Sequence, residues 1–189
     1  MASALPTRQI VVDVLTPSYR IVGKIQVSHT GAIGIVNDQT ISIMEVREAS
    51  MARLDQPTKL VDRFRVVRVV RERVFAVCLG RRDDVGSVAW TRGGYGYQYD
   101  YPVKIVSPVY ELEGIFEWSE RFDLHAIMVE GTRDFLPLFD VDLRAVLVPN
   151  MRMETPALLF NRKHVDVMAL QPGTTGELQA GATGELTGE

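Results

Sequence analysis

The chain has very little cysteine and histidine: one Cys and three His in 189 residues. A single thiol, Cys78, excludes an intramolecular disulfide and fits a reducing, cytoplasmic setting. His29, His125 and His164 are scattered, without the spacing of a metal site. There is no apolar run of the roughly 18 residues a bilayer-spanning helix needs. The opening Met1–Arg8 lacks the basic flank and apolar stretch of a signal peptide. Also missing are a phosphate loop, a dinucleotide fingerprint and a Ser-His-Asp arrangement, so neither enzymatic activity nor a cofactor is expected. No segment combines helix caps with a sustained 3.6-residue period, which excludes a helical bundle.

What the chain does have is ordinary globular material, 46% hydrophobic and 24% charged. Its main organising feature is an internal repeat. Pro17-Ser18-Tyr19-Arg20-Ile21-Val22-Gly23 recurs 91 residues later as Pro108-Val109-Tyr110-Glu111-Leu112-Glu113-Gly114. The same shift carries Val12 onto Val103, Arg71 onto Arg162, Val74 onto Val165 and Leu79 onto Leu170. So long a period implies two copies of one small domain. The copies differ in charge. Residues 1–80 carry 11 Lys/Arg against 7 Asp/Glu, and residues 101–189 carry 7 against 14. Opposite signs allow the copies to attract one another, within a chain or between chains.

Each copy reads as short strands. In the first, Gln9–Thr16, Tyr19–Val27, Ala32–Val36, Ile41–Val46, Phe64–Val70 and Arg73–Leu79 are β-rich, with turns at Pro17-Ser18 and Ser28–Gly31. Glu48–Leu54 fits either a loop or a helical turn. In the second, the strands are Val103–Ser107, Tyr110–Trp118, His125–Val129, Phe135–Val141 and Leu158–Leu170, the last interrupted near Asn161-Arg162. Gly23 and Gly114 fall mid-strand, where a small barrel needs a bend. The expected fold is all-β: two tandem five- to six-stranded SH3-like barrels. The basic copy spans 1–80, a Gly/Tyr-rich connector 81–100 and the acidic copy 101–172. A flexible tail, 173–189, follows, too poor in apolar residues to fold alone.

Val12-x-Val14…Gly23-x-Ile25 with Val69–Val74, and Val103-x-Ile105…Gly114-x-Phe116 with Phe160–Val165, resemble the Sm-like family that includes Hfq. The resemblance implies self-association through strand edges, the penultimate strand of one barrel pairing with the last strand of its neighbour. It also implies RNA as a ligand to be tested. The loops do not follow the family's nucleotide-binding pattern. Ser28–Gly31 has neither Asp nor Asn, and the late turns read Arg71-Glu72 and Arg162-Lys163 rather than Arg-Gly. Phe122 offers one stacking ring beside Asp123. Arg63, Arg65, Arg68, Arg71 and Arg73 form a basic run suited to phosphates or to an acidic partner, four of them on one strand face if the extended chain persists. Arg92, Tyr95 and Tyr97 join arginine to stackable rings in the connector. Asp140-x-Asp142 places two carboxylates on one strand face as a weak catalytic hint. The function expected is that of a non-enzymatic, self-assembling interaction module, with RNA binding through the first copy's arginines as the alternative.

Overall fold

The computed structural model describes residues 7–60, 62–86, 99–119 and 121–172. The described strands are β1 (Arg8–Leu15), β2 (Tyr19–Val27), β3 (Ile43–Arg53), β4 (Asp62–Val70) and β5 (Ala76–Leu79) in the first half, then β6 (Tyr99–Val106), β7 (Tyr110–Trp118), β8 (Phe135–Ala145), β9 (Val148–Asn161) and β10 (Val167–Leu170) in the second. One short helix, α1 (Gly31–Val36), follows β2, and a π-helical turn, Ala126–Glu130, takes the same place after β7.

The chain is all-β, as the alternating patterns predict, but the expectation of two separate barrels is not met. The strands form one antiparallel ten-stranded sheet, ordered β10-β6-β7-β8-β9-β5-β1-β2-β3-β4, and this sheet is not closed. The halves are fused because β5 pairs on one side with β1 and on the other with β9, Ala76 facing Phe160 and Leu79 facing Ala157. Left unpaired, the outer edge of β5 would bury a row of unsatisfied backbone groups.

Two cores lie on opposite faces of this central seam. Along β5, Val77 and Leu79 enter a core with Ile10, Val12, Ile25 and Val46, whereas Ala76 and Cys78 enter one with Ile105, Leu112, Leu138 and Phe160. Both faces of β5 are therefore buried, and its run Ala-Val-Cys-Leu has no polar alternate positions, as a doubly covered strand requires.

The mid-strand glycines both sit opposite an irregularity in the sheet, and both are closely approached by backbone. Opposite Gly23 the β2–β3 register slips between Val22 and Lys24; opposite Gly114 the β7–β8 register slips between Glu113 and Ile115. The extra residues are Glu48 and Asp140, both held at φ 49°. A Cβ on Gly23 would lie 2.7 Å from the Arg47 carbonyl oxygen, and one on Gly114 2.8 Å from that of Phe139. The bulge and its glycine form one device, present twice.

Three expectations change. Ala32–Val36 and His125–Val129, read as strands, are helical. Short apolar runs carry no periodicity to separate the two states, and Gly31, at φ 69°, ends the extended chain so that Ala32, Ile33 and Val36 turn into the core. Glu48–Leu54, left between loop and helical turn, continues β3 as far as Arg53 beyond its bulge. β8 runs past the expected Val141 to Ala145 and β9 starts before the expected Leu158, at Val148, so the two form one long hairpin. The tail 173–189, most of the connector and the N-terminal start lie outside the described residues, and β6 begins at Tyr99, inside the expected connector range.

Gly23→Ala should lower stability by about 1–3 kcal/mol through overpacking against the bulge. Urea denaturation checks this, and an unchanged midpoint would show that the bulge yields freely.

Candidate functional site

The β5–β9 junction shows how this sheet joins one half to another. Beside it, Tyr110 is fully buried and stacks on Phe75, with ring centroids 4.7 Å apart. Its hydroxyl donates to the Thr16 carbonyl at 2.7 Å. Burial pushes the Tyr110 phenol well above its ordinary range, so it stays a neutral donor. Asn161 closes the end of the seam, its backbone N–H bonded to the Phe75 carbonyl at 2.8 Å and its Nδ2 donating to the Val74 carbonyl at 3.2 Å.

Polar contacts surround the seam. Asn37, just after α1, donates through Nδ2 to the Phe135 carbonyl at 2.9 Å and accepts from the Phe135 N–H at 2.8 Å. Asp134 receives Arg71 from the first half at 3.6 Å and Lys163 from the second at 2.9 Å. His164 Nε2 lies 2.7 Å from the Glu72 carbonyl oxygen. The junction is apolar at its centre and polar at its rim, the arrangement of an interface between subunits.

The basic turns have a structural occupation. Arg71 reaches the Val36 carbonyl at 3.2 Å, and Arg162 reaches the Ile127 carbonyl at 3.1 Å and the Gly131 carbonyl. The donors of the Val36 and Ile127 contacts are 91 residues apart, as are their acceptors, so each half uses its late arginine to tie down the helical turn that precedes its third strand. Arg71 is largely covered, its side chain 13% exposed.

The basic run of the first half therefore does not share one face. β4 ends at Val70, and Arg71–Arg73 form a 3-10 turn that breaks the strand parity and sends Arg71 inward. Arg68 pairs with Glu45 at 3.2 Å. Arg63, Arg65 and Arg73 are exposed, and among the described residues no ion pair holds them. Phe122 is half-buried, its ring 5.2 Å from that of Tyr101 in the second core, so it is not a free stacking platform. Lys163 is held by Asp134. Arg92, Tyr95 and Tyr97 lie outside the described residues.

Chemical sites are sparse among the described residues. No group of three or more His, Cys, Asp and Glu is gathered as for a metal ion. Asp140 and Asp142 line a shallow depression with Glu154, but the bulge separates their roles. Asp140 faces Arg82 at 3.4 Å, and Asp142 faces Arg144 and Arg152 at 2.8 and 3.0 Å. The hydrogen bonds from Arg144 and Arg152 hold the Asp142 carboxyl below its usual range. His125, expected in an apolar strand, is exposed beside Glu130. Cys78 is buried, and burial raises its thiol pKa far above neutrality. No helix of the described residues is long and apolar enough to cross a membrane.

The sheet's two outer strands are the remaining feature. β4 exposes Phe64, Val66 and Val70, and β10 exposes Val167. The sequence offers Phe64–Val70, Arg73–Leu79, Leu158–Phe160 and Val165–Leu170 as edges that could pair inside the chain or between chains, but does not mark β5 and β9 as the two that meet within it. Nor did it single out Tyr110, Asn161 or Asn37; the repeat itself was the available signal, since Tyr110 lies within its best-matched stretch.

No family model, curated protein or solved structure matches the chain.

Tyr110→Phe should destabilise the fold by about 1–3 kcal/mol, because the buried Thr16 carbonyl loses its partner. Chemical denaturation measures it, and a change within error would mean the hydroxyl adds nothing to the seam.

Proposed function

We propose that the chain is a non-enzymatic, self-assembling interaction module built from two Sm-like units, acting in a reducing, cytoplasmic setting. The observation that carries this is the use of strands at the seam. The last strand of the first half, β5, is paired with the penultimate strand of the second, β9. Among the described strands, that leaves the penultimate strand of the first half, β4, and the last strand of the second, β10, as the two edges of the sheet. The free edges are thus the complementary pair of the same kind of junction, one on each end of the chain.

Exposed apolar edge strands invite pairing with another chain. A head-to-tail contact of this kind is heterologous, and it yields a ring when the rotation per chain closes and a filament when it does not. The charge division supports the same arrangement, because the first half carries an excess of positive charge and the second an excess of negative charge. The single cysteine is buried, which suits a setting where thiols stay reduced.

RNA binding is a second reading, favoured by the exposed Arg63, Arg65 and Arg73 near the β4 edge. It predicts salt-dependent binding of a single-stranded RNA pool that weakens in Arg63→Ala/Arg65→Ala; no binding at low salt rejects it.

For the main reading, native mass should exceed the 21.2 kDa of one chain at micromolar concentration and fall on dilution. A strict monomer over the accessible range overturns self-assembly. Val66→Lys, placing a charge on the β4 edge, should shift the particle toward monomer without unfolding it.

A further inference from the structure

The internal repeat allows the seam to be translated residue by residue onto the free ends. Positions covered at the seam have equivalents that lie open at the edges. Tyr110 is 0% exposed and its counterpart Tyr19 40%. Ala76 is 0% exposed and its counterpart Val167 51%. Leu54, whose N–H bonds to the Ser18 carbonyl, corresponds to Val146, whose N–H bonds to the Val109 carbonyl; they are 8% and 46% exposed. On the other strand, buried Ala157 and Asn161 correspond to exposed Val66 and Val70.

We infer that a second copy of this chain docks on these edges in the register of the internal seam: β10 of one chain lies antiparallel to β4 of the next, Val167 opposite Val69 and Leu170 opposite Val66, with Tyr19 of the second chain set against Asp166 and the Ser107 carbonyl of the first. This rests on the self-association reading and specifies its geometry.

The turn that presents each tyrosine is the same. Thr16 Oγ1 accepts the Tyr19 N–H at 2.9 Å, and Ser107 Oγ accepts the Tyr110 N–H at 2.9 Å. The acceptor side is preserved as well, since the Phe75 N–H bonds to the Leu15 carbonyl and the Asp166 N–H to that of Val106. The Tyr19 hydroxyl would thus meet the Ser107 carbonyl as the Tyr110 hydroxyl meets that of Thr16.

One substitution separates the two contacts. Where the internal seam has Phe75 to stack on Tyr110, the open end has the exposed Asp166. A carboxylate there must lose water when the tyrosine ring covers it, whereas Phe75 gains from burial. The contact between chains is therefore the weaker, reversible version of the contact within the chain, and Asp166 sets the difference.

Sedimentation velocity on the full chain across a concentration series, with circular dichroism to confirm folding, tests this. Tyr19→Ala should raise the dissociation constant about tenfold or more, and Asp166→Phe should lower it by about tenfold. Under mild oxidation, Val66→Cys/Leu170→Cys should cross-link between chains, whereas Val66→Cys/Val167→Cys should not, because its Cα atoms are too far apart for a disulfide in this register. If the native chain associates but these variants leave its affinity unchanged, or the second cysteine pair links in place of the first, this geometry is overturned and self-assembly stands. If the native chain stays monomeric at every concentration, both fall.

Discussion

The structure depends on the backbone pairing between β5 and β9. β5 is only four residues long and is buried on both faces, so its hydrogen-bonding groups have no access to water and must be met by its two neighbours. β1 satisfies one side and β9 the other. Once that is fixed, the faces of β5 and β9 must alternate between the two cores, Tyr110 is enclosed against Phe75, and the chain continues as one sheet through both halves. Neither core is complete on its own: Phe135, Phe139, Ala157 and Leu159 serve the first-half core, and Leu15, Leu54, Phe75, Ala76 and Cys78 serve the second.

The two halves match one another more closely in their contacts than in their residues. The glycine facing a bulge at φ 49° recurs, as does the hydroxyl that caps the turn before the second strand and the arginine that binds the helical-turn carbonyl. One ion pair is even preserved with its charges exchanged. Arg20 meets Asp13 at 2.7 Å, and at the corresponding positions Lys104 meets Glu111 at 3.0 Å. A pair of opposite charges on adjacent strands works in either order, so that position is free to invert.

How far the sequence could be read follows from the range of each interaction. Tyr19, Ile21, Gly23, Ile25 and Val27 share one face because a strand's period of two is written along the chain; all but Tyr19 are buried, and only the neighbouring strands decide that exception. The hairpins of β1 with β2 and β6 with β7 were legible from Pro17-Ser18 and Pro108-Val109. The helical turns at Ala32–Val36 and His125–Val129 were not, since runs of five apolar residues satisfy either state and only their neighbours choose. The basic run Arg63–Arg73 looked like one charged face. It became a strand edge followed by an inward arginine, because Arg71 found Val36 and Asp134, partners 35 and 63 residues away.

Legible along the chain are its all-β class, a set of residues that recurs at a spacing of 91, mid-strand glycines at 23 and 114, and a basic and an acidic half. These properties are local or periodic, and they survive without knowledge of what lies beside each strand. The tertiary structure alone decided that the halves share one sheet, that β5 and β9 are spent inside the chain, and that β4 and β10 remain at its edges. Strand pairing is a backbone contact open to almost any residue, so four strands with apolar residues along their edges carry no mark of which will meet. That choice is made by the two cores, which close together only when β5 is covered by β9.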